Sequence, residues 1–166
     1  MIIEKLIELK KKLNLKKLDL HTPFFSKKNF LYLKKCINSN FVSTQTGWFI
    51  KKFRSRILNI TKSKYIILVN SGSSAIYLGL RSIDIKKNDE VLMPTLNYIA
   101  NANAVKSLNA IPHFIDSEPS SLGIDIEKLE IYLNKNFKIY KKKTINIRSK
   151  NIVSCLIATH IFGVSC

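Results

Sequence analysis

Apolar residues recur along this chain in two different rhythms. Leu6, Leu9 and Leu13 stand at helical spacing within residues 2–13, as do Phe30, Leu33 and Ile37 within 27–38. Both stretches predict amphipathic helices. Phe41-Val42-Ser43 reads as a short extended piece and Thr44-Gln45-Thr46-Gly47 as a turn. A third helix is predicted over 48–60, with Phe49, Phe53, Ile57 and Ile60 facing inward. After that the rhythm changes. Residues 65–69 are a β-branched run of strand length, 73–83 a helix, 90–93 a strand stopped by Pro94, and 97–108 a helix. Residues 110–115 read as a strand, 126–133 as a helix and 152–158 as a final strand. Short buried runs alternating with helices predict an α/β fold of three layers around a mostly parallel sheet. The polar, basic stretch 134–151 is expected to be an exposed excursion or hairpin.

Composition adds exclusions. With 46% apolar and 23% charged residues the chain can bury a real core. Lysines interrupt every greasy run, so no window meets the length of a membrane span. The basic start lacks the apolar core and cleavage site of a secretory signal, which predicts a cytoplasmic protein with no membrane partner. The net charge of +17 suggests nucleic acid at first sight, but its distribution argues otherwise. Residues 1–64 carry sixteen basic against three acidic side chains, and 138–166 carry six basic and none acidic. The regularly patterned middle, 65–137, has six against eight, and only four of the 28 basic residues are arginine. A nucleic-acid reader concentrates its charge on its best-ordered element. Cys36, Cys155 and Cys166 share no short spacing with one another or with a histidine, so no metal site is expected.

Candidate chemistry sits where strands end and helices begin. Val69-Asn70-Ser71-Gly72-Ser73-Ser74-Ala75 joins a predicted strand to a predicted helix. Free N–H groups at a helix start, hydroxyls on Ser73 and Ser74, and a glycine that allows close approach suit a phosphate. A plain serine cap would look the same. Tyr98 falls at the next such junction, either as a wall against which a planar ring stacks or as a core aromatic. Asn97, Asn101 and Asn103 are polar for a helix start and also read as caps. Asp116 closes a strand and reads as a turn cap rather than a proton carrier, and His160 is the one histidine placed at a presumed ligand edge.

Taken in order, these motifs resemble a known family. Gly47-Trp48, Asn70 through Ala75, Asp89-Glu90-Val91 through Pro94, and Tyr98 through Asn103 all match its pattern, as do Ala110 through Asp116, Asp125 through Glu130, and His160-Ile161-Phe162-Gly163. The chain is similar to the DegT/DnrJ/EryC1/StrS aminotransferases, which use pyridoxal 5′-phosphate to aminate keto-sugars attached to nucleotides. Leu20-His21-Thr22-Pro23 and the basic excursion before His160 resemble the branch making bacillosamine- or legionaminic-type sugars. The resemblance implies the N-terminal part of the large domain of a fold-type I enzyme, with a helical segment over 1–40 and an incomplete coenzyme-binding layer over 41–166. Gly72, Ser73 and Ser74 would then hold the coenzyme phosphate and Tyr98 would stack on its ring. Gly47, Trp48, Asn103 and His160 would lie on the substrate side, while Asn97 stands where the family usually has threonine. No residue here matches the family's coenzyme-linked lysine or its ring-pairing aspartate. The chain alone is therefore expected to be an inactive portion of an enzyme that works on a nucleotide-sugar and an amino-acid donor, as a homodimer. The alternatives are one half of a split enzyme and a small phosphate- or polyanion-binding module.

Overall fold

The computed structural model of the chain describes residues 2–17, 23–40, 42 and 47–166. Phe41, Ser43 and residues 44–46 of the expected extended piece and turn, and Leu20 to Thr22, lie outside the described residues. The chain divides between Ile66 and Ile67 into two units, each taken by itself.

The first unit holds three helices: α1 (Ile2–Lys12), α2 (Lys27–Asn38) and α3 (Trp48–Thr61). Ser26 opens α2 through a capping box with Asn29. Lys62 closes α3 in the left-handed region (φ 55°), its N–H on the Leu58 carbonyl. The helices occur as the periodicity predicts, but their apolar stripes are not inward. No residue of α2 or α3 is buried; of the stripe expected on α3, Phe53 and Ile60 are exposed and Phe49 and Ile57 half-buried. Periodicity fixes which side chains share a face; it does not supply a surface for that face to cover.

The second unit is layered. β1 (Glu90–Pro94) runs down its centre and is buried along its whole length. β2 (Ile111–Ile115) pairs parallel on one side, Glu90 opposite Ile111 and Pro94 opposite Ile115. β5 (Ile152–Leu156) pairs parallel on the other, Leu92 opposite Leu156. The antiparallel hairpin of β3 (Phe137–Tyr140) and β4 (Lys143–Asn146) extends the sheet, giving the order β2-β1-β5-β4-β3. Four of the five strands point the same way.

Alternation along β1 assigns the layers. Val91 and Met93, fully buried, face α4 (Gly72–Ser82) and α5 (Ala100–Ser107) together with Leu80, Ala104 and Val105. Leu92 faces the opposite layer with Ile115, Ile124, Phe137 and Leu129 of α6 (Ile126–Asn136). Each of these side chains larger than alanine contributes about 1.5–3 kcal/mol on burial. Asp125 caps α6 by accepting the Lys128 N–H at 3.0 Å.

Glu90, the first residue of β1, has a charge on the α6 face and is only 3% exposed. A buried carboxylate must be satisfied by donors, and four converge on it. His113 Nδ1 lies 2.8 Å and Asn146 Nδ2 2.9 Å from Oε2, while Ser149 Oγ and Asn151 Nδ2 reach Oε1. A carboxylate only accepts, so the imidazole donates through Nδ1, and its Nε2 lies 2.9 Å from the Tyr132 hydroxyl. Burial pushes the Glu90 carboxyl up, but the hydrogen bonds from Ser149, Asn146 and His113 outweigh it and hold it below its ordinary value. The hub ties the hairpin and the loop after it to the parallel strands.

Two expectations are corrected here. Residues 65–69 form no strand: Tyr65 is 77% and Ile67 80% exposed. Among the described residues nothing pairs with this run, and β-branched composition cannot replace a ladder partner. The helix expected from residue 97 starts at Ala100, because the Asn97 side-chain amide donates to the Pro94 carbonyl and holds the intervening residues in a turn. The stretch 134–151 is the hairpin alternative, shortened at its start because α6 continues to Asn136.

Candidate functional site

The serine turn forms the N-terminus of α4. Ser71 is its N-cap, with extended backbone (φ −156°, ψ 159°), and its Oγ accepts the Ser74 N–H at 3.2 Å. Ser74 Oγ donates to Asn70 Oδ1 at 2.8 Å, which leaves it to accept from Ser71 Oγ at 3.0 Å. These bonds fix the turn from within. The N–H groups of Gly72 and Ser73, at the first two helical positions, have no helical acceptor and carry the positive end of the helix dipole. Ser73 is exposed and its hydroxyl stays outside the chain of bonds. A Cβ on Gly72 would meet nothing within 4 Å, so the surface at this helix start is uncrowded.

A groove runs from this turn between two helices. Ser73, Ser74, Tyr77 and Leu78 line it from α4, and Ala100, Asn103, Ala104 and Ser107 line it from α5. On each helix these positions share one face. The structure thus brings together three residues singled out in the sequence, Ser73, Ser74 and Asn103. The groove's lining contains neither a lysine nor a carboxylate.

Tyr98 stands apart from that lining, 76% exposed in the turn just before α5. Its carbonyl accepts the Asn101 N–H at 3.1 Å. Asn101 in turn is buried, and its side-chain amide donates to Thr159 Oγ1 at 3.1 Å, across 58 positions of sequence. This bond places the loop carrying His160 beside the turn carrying Tyr98, and it has no signal in the sequence. His160 is exposed ahead of a single 3-10 turn, Ile161–Gly163, and its Nδ1 accepts the Cys166 N–H at 3.1 Å. Cys166 packs on Gly123 so closely that a Cβ there would lie 2.5 Å from the Cys166 Cβ, so only glycine fits.

The remaining candidates lie elsewhere. Gly47 and Trp48 belong to the first unit. Gly47 is buried as the N-cap of α3, and Trp48 is exposed, edge-on to Phe49 with Lys52 Nζ 4.6 Å from its ring centroid. Asp116 lines a separate cleft beside β2 with Lys128, Tyr132 and Lys135. Lys128 is paired there with Asp125 at 3.0 Å, which raises its pKa. No cluster of metal-ligating residues occurs among the described residues, and no described helix is long and apolar enough to cross a membrane.

The residues present fit the phosphate of pyridoxal phosphate: free amides, a free hydroxyl and open space meet at one helix start. Comparison with known proteins bears on the same segment. The model of the DegT/DnrJ/EryC1/StrS aminotransferase family matches residues 24–166. GDP-perosamine synthase of Vibrio cholerae is 30% identical over 135 residues, 81% of this chain and 32% of that protein. The 3-oxo-glucose-6-phosphate:glutamate aminotransferase of Bacillus subtilis is 31% identical over 85 residues, 51% of this chain and 19% of that one. The fold matches the crystal structure of an aminotransferase from Psychrobacter cryohalolentis with a TM-score of 0.67 at 21% identity, over 87% of this chain and 32% of the other. This chain therefore spans about a third or less of the length of these relatives. Since the match takes in the serine turn, the whole layered unit and the His160 loop, the chain belongs to the DegT/DnrJ/EryC1/StrS aminotransferase family.

Proposed function

We propose that these residues form the phosphate-binding side of the coenzyme site in an aminotransferase that acts on a nucleotide-linked 4-keto-6-deoxy sugar, with glutamate as donor. The observation that carries the reading is the open α4 N-terminus at Gly72 and Ser73, on a groove shared with Asn103. GDP-perosamine synthase names a nucleotide-linked aminosugar and the Bacillus subtilis relative names glutamate; both support the substrate classes. In this reading the enzyme is a cytoplasmic homodimer making precursors of surface polysaccharides or glycans. Residues 1–40 form a helical segment ahead of a coenzyme-binding layer over 41–166.

Bound pyridoxal phosphate supplies an electron-withdrawing ring that carries the amino group between donor and sugar. The chain's own residues bind and orient it. The Gly72 and Ser73 amides and the Ser73 hydroxyl take the phosphate, the Ser74 hydroxyl joins them by turning its proton away from Asn70 Oδ1, the dipole of α4 complements its charge, and Tyr98 offers a face to the ring. Asn103 and His160 stand on the substrate side. The assignment of Gly47 and Trp48 to the substrate rests on the resemblance alone. The lysine and carboxylate that complete such a site are not assigned to any residue of this chain, and without them the 166 residues do not turn over.

Amide NMR tests the cradle: added pyridoxal phosphate is expected to shift Gly72 and Ser73 first, and shifts confined elsewhere would overturn the assignment. Borohydride reduction tests inactivity. It is expected to scatter label over exposed lysines, and stoichiometric labelling of one lysine would sink that part of the reading.

A further inference from the structure

The Asn101–Thr159 bond has a use beyond holding the chain together, and its consequence rests on the coenzyme reading above. Asn101 lies in the first turn of α5, between Ala100 and Ala102 and only 6% exposed. A buried amide costs free energy unless it is bonded. Its partner, Thr159 Oγ1, lies past the end of β5, where the Ile157 N–H still donates to the Leu92 carbonyl at 2.8 Å. One side of Asn101 therefore grips the loop that runs into His160. Its backbone N–H grips the Tyr98 carbonyl. Tyr98 and His160 are themselves exposed, with no other described bond between their two loops.

We propose that Asn101 is a positioning residue, whose bond to Thr159 fixes the Tyr98 turn against the His160 loop and so sets the ring side of the coenzyme site. It touches neither phosphate nor ring. Its effect should therefore separate a ligand that has a ring from one that has only the phosphate.

Pyridoxine 5′-phosphate is the suitable probe, because it lacks the aldehyde that would react with the 24 lysines, and inorganic phosphate is its control. In calorimetric titration of the 166-residue chain, Asn101→Ala and Thr159→Val are each expected to weaken pyridoxine 5′-phosphate about tenfold and to leave phosphate unchanged. The double variant should lose no more than either single one, since both remove the same bond. Thr159→Ser keeps the hydroxyl and should keep native affinity. Native affinity in Asn101→Ala, or an equal loss for both ligands together with a lowered melting temperature, would overturn the proposal. A native chain that binds pyridoxine 5′-phosphate no better than phosphate would instead remove the coenzyme reading and this inference with it.

Discussion

Glu90 Oε2 and His113 Nδ1 lie 2.8 Å apart inside the sheet, joining the first residue of the central strand to the middle of its neighbour. The pair matters because Asn146, Ser149 and Asn151 donate to the same carboxylate from the hairpin and the loop after it. Glu90→Gln replaces an acceptor-only group by one that must also donate. We expect it to cost about 2 kcal/mol, in the range of hydrogen bonds to a charged group, measured by urea denaturation. Amide exchange should rise first in residues 137–151. A variant with native stability would show that the hub holds nothing.

The same carboxylate gives a pH dependence. Its folded pKa lies below the ordinary 4.5, so the stability it provides is complete above about pH 4.5 and is lost as pH falls through the folded value. Glu118, held at about 2 by Ser120 and Ser121, has the same sign. Stability measured downward from pH 6 should therefore decline below about pH 4.5, and Glu90→Gln should flatten that decline. An equal slope in both proteins would refute the attribution.

Gly72→Ala separates fold from ligand. A Cβ there meets nothing within 4 Å, and alanine is the better helix former. Melting temperature should hold or rise slightly, while phosphate affinity falls because the methyl group occupies the approach to the α4 amides. Unchanged phosphate affinity would move the anion away from this turn.

The hairpin turn offers a gain. Lys141 and Lys142 both have positive φ, 48° and 63°, the pattern of a type I′ turn that asparagine and glycine satisfy far better than lysine. Replacing Lys142 by glycine should stabilise the chain by about 0.5–1 kcal/mol, read from the denaturation midpoint.

Thiol chemistry gives a fifth check. Burial, and then the charge of Asp89, push the Cys155 thiol up, so it should alkylate more slowly at pH 8 than exposed Cys166, as peptide mass spectrometry would show. Equal rates would mean that β5 opens readily.

The parts of this structure that the sequence announced are those written in adjacent residues. Val91 and Met93 alternate with Leu92, and the Ser71–Ser74 turn carries its cap in its own four residues. What remained hidden depends on distance. The donors to Glu90 come from 23 to 61 positions away, and the amide of Asn101 finds its acceptor 58 positions on. Asn101 and Asn103 look alike in sequence, yet one is a buried brace and the other lines a groove. Residues 65–69 have the composition of a strand and no ladder partner among the described residues, a difference no local pattern records.

That unpaired run has a practical side. Tyr-Ile-Ile-Leu-Val, with its backbone open, is a template on which another copy can lay a strand. Lys62 and Lys64 stand just before it and repel an approaching copy. Their reach is the Debye length, about 10 Å at 0.1 M salt and about 3 Å at 1 M. Concentrated salt therefore strips the guard from this segment, and solutions of the protein should turn turbid with ionic strength rather than with temperature alone.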